Sequence, residues 1–150
     1  MTTIRSISVQ PELLGDLVET CRIRLPSEAC GVIVGKRAGD EVLAQRFILL
    51  RNVAADPLRS FRFAPEEWVR IYSETQKNQR EIVGFFHVHP RGEPYPSAAD
   101  LAGWDGSGTY WIVGSSGDAP AVRAYALRPD GKLRDLALPS LSRPGRQNSV

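Results

Sequence analysis

"GFFHVHPRGEPYPSAAD", residues 84–100, contains both histidines of the chain, His87 and His89, at the end of an apolar run and just before a proline-rich loop. Successive side chains of a strand alternate between faces, so the two imidazoles project from one side and Val88 from the other. Two nitrogen donors on one face form a metal-binding arrangement. Pro90 removes a ladder donor and ends regular pairing, which lets the chain fold back over whatever the imidazoles hold. Ser97 and Asp100 lie on this return path, at the start of a short helical stretch, where a hydroxyl and a carboxylate can face one point. Two histidines and one carboxylate would leave the fourth position of a tetrahedral zinc ion open, as in catalytic rather than structural sites. Each residue also has a plain explanation: one packed and one exposed histidine, Ser97 as a helix cap, and Asp100 at the positive end of a helix. Their coincidence in one short window favours a site.

A second window, "SEACGVIVG" at 27–35, places Glu28 at the mouth of a short apolar run rich in β-branched residues. A carboxylate there could take a proton from water and later deliver it to a leaving amine. Ser97 has no free histidine partner to activate it, so it suits hydrogen-bond donation to a developing oxyanion better than nucleophilic attack. The combination points to acyl hydrolysis by water without a covalent intermediate.

Around these windows the pattern alternates. "SISVQ" reads as a short strand, and "PELLGDLVETCRIRLP" as an amphipathic helix with Pro11 in its first turn and an end before Pro26. "ACGVIVG" and "EVLAQRFILLRNV" read as antiparallel partners around "KRAGD". Pro65 opens a second helix, with Trp68, Ile71, Tyr72 and Thr75 on one face. "EIVGFFHVH", "TYWIVGSS" and "AVRAYALR" are three further strands. Loops too short for crossover helices favour an α+β domain with a mixed, largely antiparallel curved sheet flanked by helices in α/β/α-like layers. One domain is expected over 1–138, followed by a polar, disordered tail at 139–150.

The 150 residues are 42% hydrophobic and 24% charged with a net charge of +2, a composition that gives little electrostatic reason to expect nucleic acid or an anionic membrane. Only Cys21 and Cys30 occur, which excludes a disulfide framework and fits reduced thiols in the cytoplasm. The amino terminus has no signal-like apolar run. Trp68, Trp104 and Trp111 suit a core better than an interface, so a monomer or homodimer is expected.

The run "HVHPRGEPYPSAAD", with the upstream glutamate of "SEACGVIVG", resembles the JAMM (MPN-plus) zinc metallopeptidases: His-x-His, seven residues, then Ser-x-x-Asp. The order of elements agrees over about residues 4–128. The resemblance implies a cytidine-deaminase-like JAMM/MPN fold and one zinc ion per chain. His87, His89 and Asp100 would be its ligands, Glu28 the general acid/base and Ser97 the oxyanion donor. Asn52 and Phe61 fall where the family has an asparagine and an aromatic, and Val88 replaces the usual serine or threonine on the side away from the metal.

Because few residues lie between Asp100 and Thr109, the chain is similar to the compact prokaryotic members and has little room for a polyubiquitin-recognising insertion. The implied substrate is the Gly-Gly-like tail of a small β-grasp ubiquitin-like or sulfur-carrier protein, cleaved from an attached amino acid or protein. Such a tail could add as a strand beside an exposed sheet edge. Three alternatives compete. A cupin-like site using Glu93 would need a third histidine that the chain lacks. A non-catalytic MPN scaffold would generally have lost ligands. A RadC-type relative would lack the "SEACGVIVG" arrangement.

Overall fold

The computed structural model describes residues 3–24, 29–56, 61–89, 94–114 and 121–139. Chain order is β1 (Ser6–Val9), α1 (Leu13–Ile23), β2 (Cys30–Ala38), β3 (Glu41–Leu50), α2 (Pro65–Lys77), β4 (Glu81–His89), α3 (Ala98–Ala102), β5 (Thr109–Gly114), β6 (Ala121–Leu127) and β7 (Leu133–Leu136). The strands form one seven-stranded sheet in the order β1-β3-β2-β4-β5-β6-β7. The β1–β3 and β4–β5 pairs are parallel and the other four neighbours antiparallel, which is the mixed α+β sheet expected.

Each sheet face has its own core. On one side α1 buries Leu13, Leu14, Leu17 and Cys21 against Ile33, Phe86, Val88, Trp111 and Val113. On the other, Ile71 of α2 packs with Val32, Val34 and Leu50, backed by Phe63, Trp68, Ile82 and Phe85. Burial pushes the Cys21 thiol up to about 12 despite nearby Arg24, so it stays protonated within the α1 core. Both cysteines are buried and not disulfide-bonded.

Three local features depart from expectation. The first helix starts at Leu13, later than expected, because Glu12 takes a left-handed φ of 76° and leaves Pro11 in the preceding turn. Tyr72, grouped with Trp68, Ile71 and Thr75 on one face of α2, is 47% exposed, whereas Ile71 and Thr75 are buried. The short strand β7 had no counterpart in the sequence pattern; it is held to β6 by pairing from Ala124↔Leu136 to Leu127↔Leu133. Residues 140–150, most of the expected tail, lie outside the described residues.

One irregularity sets the orientation of β4. Ile33 pairs with Gly84 and the next residue, Val34, with Ile82, so Val83 is the extra residue of a bulge. Ile82 and Phe85 consequently share the α2 side, while Val83 and Phe86 share the α1 side. A buried relay accompanies the bulge: Thr109 Oγ1 donates to the Val83 carbonyl at 2.7 Å and accepts from Trp111 Nε1–H at 2.7 Å. Gly84 is needed here, since a Cβ would run into Thr109 Oγ1 and lie 3.0 Å from Trp111 Nε1.

Thr109→Val keeps the shape but removes both hydrogen bonds, leaving a buried carbonyl and a buried indole N–H unsatisfied at a cost of ~1–3 kcal/mol each. Urea denaturation should therefore show a loss of at least about 2 kcal/mol with an unchanged slope.

Candidate metal centre

Counting along β4 beyond the bulge puts Phe85, His87 and His89 on the α2 side, with Phe86 and Val88 in the α1 core. His87 is fully buried and pairs across the ladder with Cys30 on β2 and Ile112 on β5. Its ring is stacked on Phe61 at a centroid distance of 4.6 Å and 24° between planes, and lies 5.4 Å from Tyr110. The aromatic at Phe61 thus fixes the ring plane of the buried histidine. Asn52 fastens the same region: its Oδ1 accepts from the N–H groups of Ala54 and Arg62, both at 3.1 Å, beside its bridge to Phe63.

The returning segment supplies the third group. Ser97 Oγ accepts the Asp100 N–H at 3.1 Å, and Asp100 Oδ2 accepts the Ser97 N–H at 2.8 Å, a reciprocal capping box that starts α3. The carboxylate also spans the two imidazoles: Oδ1 is 3.2 Å from His87 Nε2 and Oδ2 is 2.9 Å from His89 Nε2. Side-chain exposures of 0% for His87, 18% for His89 and 12% for Asp100 leave a narrow opening on the His89 side. One ligand atom from each of the three lies within 4.8 Å of the others, the geometry of a divalent-cation site.

The donor set fits zinc. Desolvation lowers the His87 pKa against the opposing pull of Asp100, so its imidazole is neutral near pH 7, the form that binds a metal. Burial alone would raise the Asp100 pKa, but hydrogen bonds from His87 and His89, aided by the Ser97 N–H, hold its carboxyl well below the usual carboxylate range. Two imidazole nitrogens and one anionic carboxylate oxygen form the three-ligand set of open zinc sites.

The sequence-derived residues divide accordingly. His87, His89 and Asp100 are brought together, and Ser97 adjoins them as the cap of α3 with an exposed side chain. Val88 points away from the site, as expected, into the α1 core. Glu28 and the competing ligand Glu93 both lie outside the described residues; Ala29, next to Glu28, accepts the Val88 N–H at 3.1 Å. In the sheet β4 is central, and the edges β1 and β7 are each three strands away from it. The link from α3 to β5 is compact, folded by Trp104 Nε1–H donating to Ser107 O at 2.9 Å and by Ser107 N–H donating to Asp105 Oδ1 at 2.9 Å.

The family described as prokaryotic homologs of the JAB domain matches residues 10–128, and the chain belongs to it. The chain is 39% identical over 83 residues to a desampylase of Haloferax volcanii, a match spanning 54% of this chain and 58% of that protein. It is 33% identical over 112 residues to a desampylase of Pyrococcus furiosus, with 74% of each covered. A CysO-cysteine peptidase of Mycobacterium tuberculosis is 26% identical over 99 residues, 66% of each. Among solved structures, a protein from Desulfitobacterium hafniense superposes with a TM-score of 0.76 at 27% identity, covering 90% of this chain and 94% of that one. A JAB1/MPN domain protein from Archaeoglobus fulgidus, at 18% identity and a TM-score of 0.56 over 86% of this chain and 95% of its own, shares the fold.

The buried imidazole makes the metal-free protein acid-sensitive. The unfolded chain protonates His87 near its ordinary value of 6.5, whereas the folded chain does so only at lower pH, so unfolding takes up a proton in that window. Stability should be fully present above 6.5 and decline as pH falls below it, with a further loss below 3.8 as Asp100 is protonated in the unfolded chain. Chemical denaturation in the presence of a chelator should show a flatter slope between pH ~5 and ~6.5 for His87→Gln than for wild type.

Proposed function

We propose that the chain is a zinc-dependent hydrolase, a peptidase or isopeptidase of the cytoplasm. It cleaves the C-terminal tail of a small ubiquitin-like or sulfur-carrier protein from an attached amino acid or protein. The observation that carries this is the convergence of His87, His89 and Asp100 in a chain of the prokaryotic JAB family. Relatives named desampylase and CysO-cysteine peptidase supply the substrate class. The catalytic domain runs over 1–138, and no helix among the described residues is long and apolar enough to cross a membrane.

His87, His89 and Asp100 would hold the zinc ion, which when bound supplies Lewis acidity, polarising a carbonyl and making water a nucleophile near neutral pH. Phe61 and Tyr110 keep the His87 ring oriented and away from solvent. Glu28 accepts the proton of the attacking water and passes it to the leaving amine. The Ser97 hydroxyl oxygen accepts from the Asp100 N–H, so its proton is available for the oxyanion. Since the sheet edges are remote, the tail approaches across the α2-side face, where Tyr95 and Leu101 on the segment carrying Asp100 expose apolar surface. Small tail residues let the backbone come close to the centre.

Purified protein should bind one zinc per chain, and His87→Ala with His89→Ala should abolish binding. Glu28→Gln should retain metal and fold yet lose ~10²–10⁴-fold in turnover, and Ser97→Ala roughly 10²–10³-fold. The assay is mass-spectrometric detection of cleavage of a β-grasp carrier extended past its Gly-Gly tail. Wild-type activity in Glu28→Gln would refute the base, and an acyl-enzyme trapped on Ser97 would refute attack by water.

A further inference from the structure

The segment that delivers Asp100 is tied to β6 at two adjacent residues. Tyr125 Oη–H donates to the Pro94 carbonyl at 2.9 Å in a buried hydrogen bond. The Arg123 guanidinium lies 5.2 Å from the centre of the Tyr95 ring and is held by Asp135, Nη2 to Oδ2 2.6 Å. Arg123 and Tyr125 are two apart on β6 and therefore share a face. Tyr125 pairs with Tyr110, and Arg123 with Ile112, itself the partner of His87.

From Pro94 to Asp100 the chain has little freedom to absorb a displacement. Pro94 and Pro96 fix their own φ angles, and the Ser97–Asp100 capping box closes the other end. Burial pushes the Tyr125 hydroxyl up to about 12, so it remains a donor at any working pH.

We infer that Tyr125 is a positioning residue for the metal: by holding the Pro94 carbonyl it sets the Asp100 carboxylate over the two imidazoles, with the Arg123–Tyr95 contact as a second tie. This rests on the zinc-centre reading and extends it to a strand that contributes no ligand. The tyrosine acts on affinity through geometry, as outer partners of metal ligands do, commonly at 10–100-fold.

The test is zinc affinity of the full chain, by chelator competition for tight forms and calorimetry for weak ones. It compares wild type, Tyr125→Phe, Asp100→Ala and the double variant, with metal-free melting recorded alongside. Tyr125→Phe should weaken zinc binding about tenfold, and the same change should have no effect in the Asp100→Ala background. Unchanged affinity in Tyr125→Phe, or an equal loss in both backgrounds, would overturn the inference, since packing alone does not act through Asp100. Should Tyr125→Phe fail to fold, Arg123→Met offers the second tie and should give a smaller, equally Asp100-dependent loss, whose absence is likewise decisive. A wild-type chain that binds no zinc would defeat the metal centre and this inference together, whereas the other negative outcomes leave the centre standing.

Discussion

The bulge at Val83 is the constraint on which the rest of this structure depends. Side chains alternate strictly along a strand, so one extra residue reverses the face of everything beyond it. Without it, the α2 side that holds Ile82 would receive Phe86 and Val88, and His87 and His89 would turn into the apolar core against α1. The Thr109–Trp111 relay satisfies the bulge residue's carbonyl, and Gly84 leaves room for it. A small polar network in the α1-side core thereby decides where the imidazoles appear.

Asp100 joins the two halves of the site. Its carboxylate accepts the Ser97 N–H at the start of α3 and spans both imidazoles, so the group that begins the helix also faces the candidate metal position. These contacts outweigh the desolvation that opposes its charge. His87 is in the complementary situation: buried between Phe61 and Tyr110, it is favoured as neutral imidazole, which is the state a ligand must have. Burial and charge therefore act in concert, one keeping the nitrogen base free of a proton and the other keeping the oxygen anionic.

The candidate centre lies in the middle of the sheet. β4 has three strands on either side, and the connection from α3 to β5 is folded tightly on itself. The segment 94–102, which carries Asp100, lies beside the sheet centre rather than at either edge. That segment is anchored from β6 at Pro94 and Tyr95, six and five residues before Asp100.

The sequence by itself determined what local chemistry can dictate. The two-residue spacing put His87 and His89 on one face, Ser97 and Asp100 formed a helix start, and apolar runs bounded by glycine and proline located six of the seven strands. The seventh, Leu133–Leu136, is short and its apolar pattern weak, so pairing with β6 makes it a strand. Phe61 could be singled out, but not its stacking on His87, and nothing in "AVRAYALR" sets Tyr125 apart. Which face the histidines occupy, which carboxylate oxygen meets which nitrogen, and how β6 restrains Pro94 were decided only by tertiary structure. These features arise between residues far apart in the chain, where register and packing, rather than local periodicity, bring the groups together.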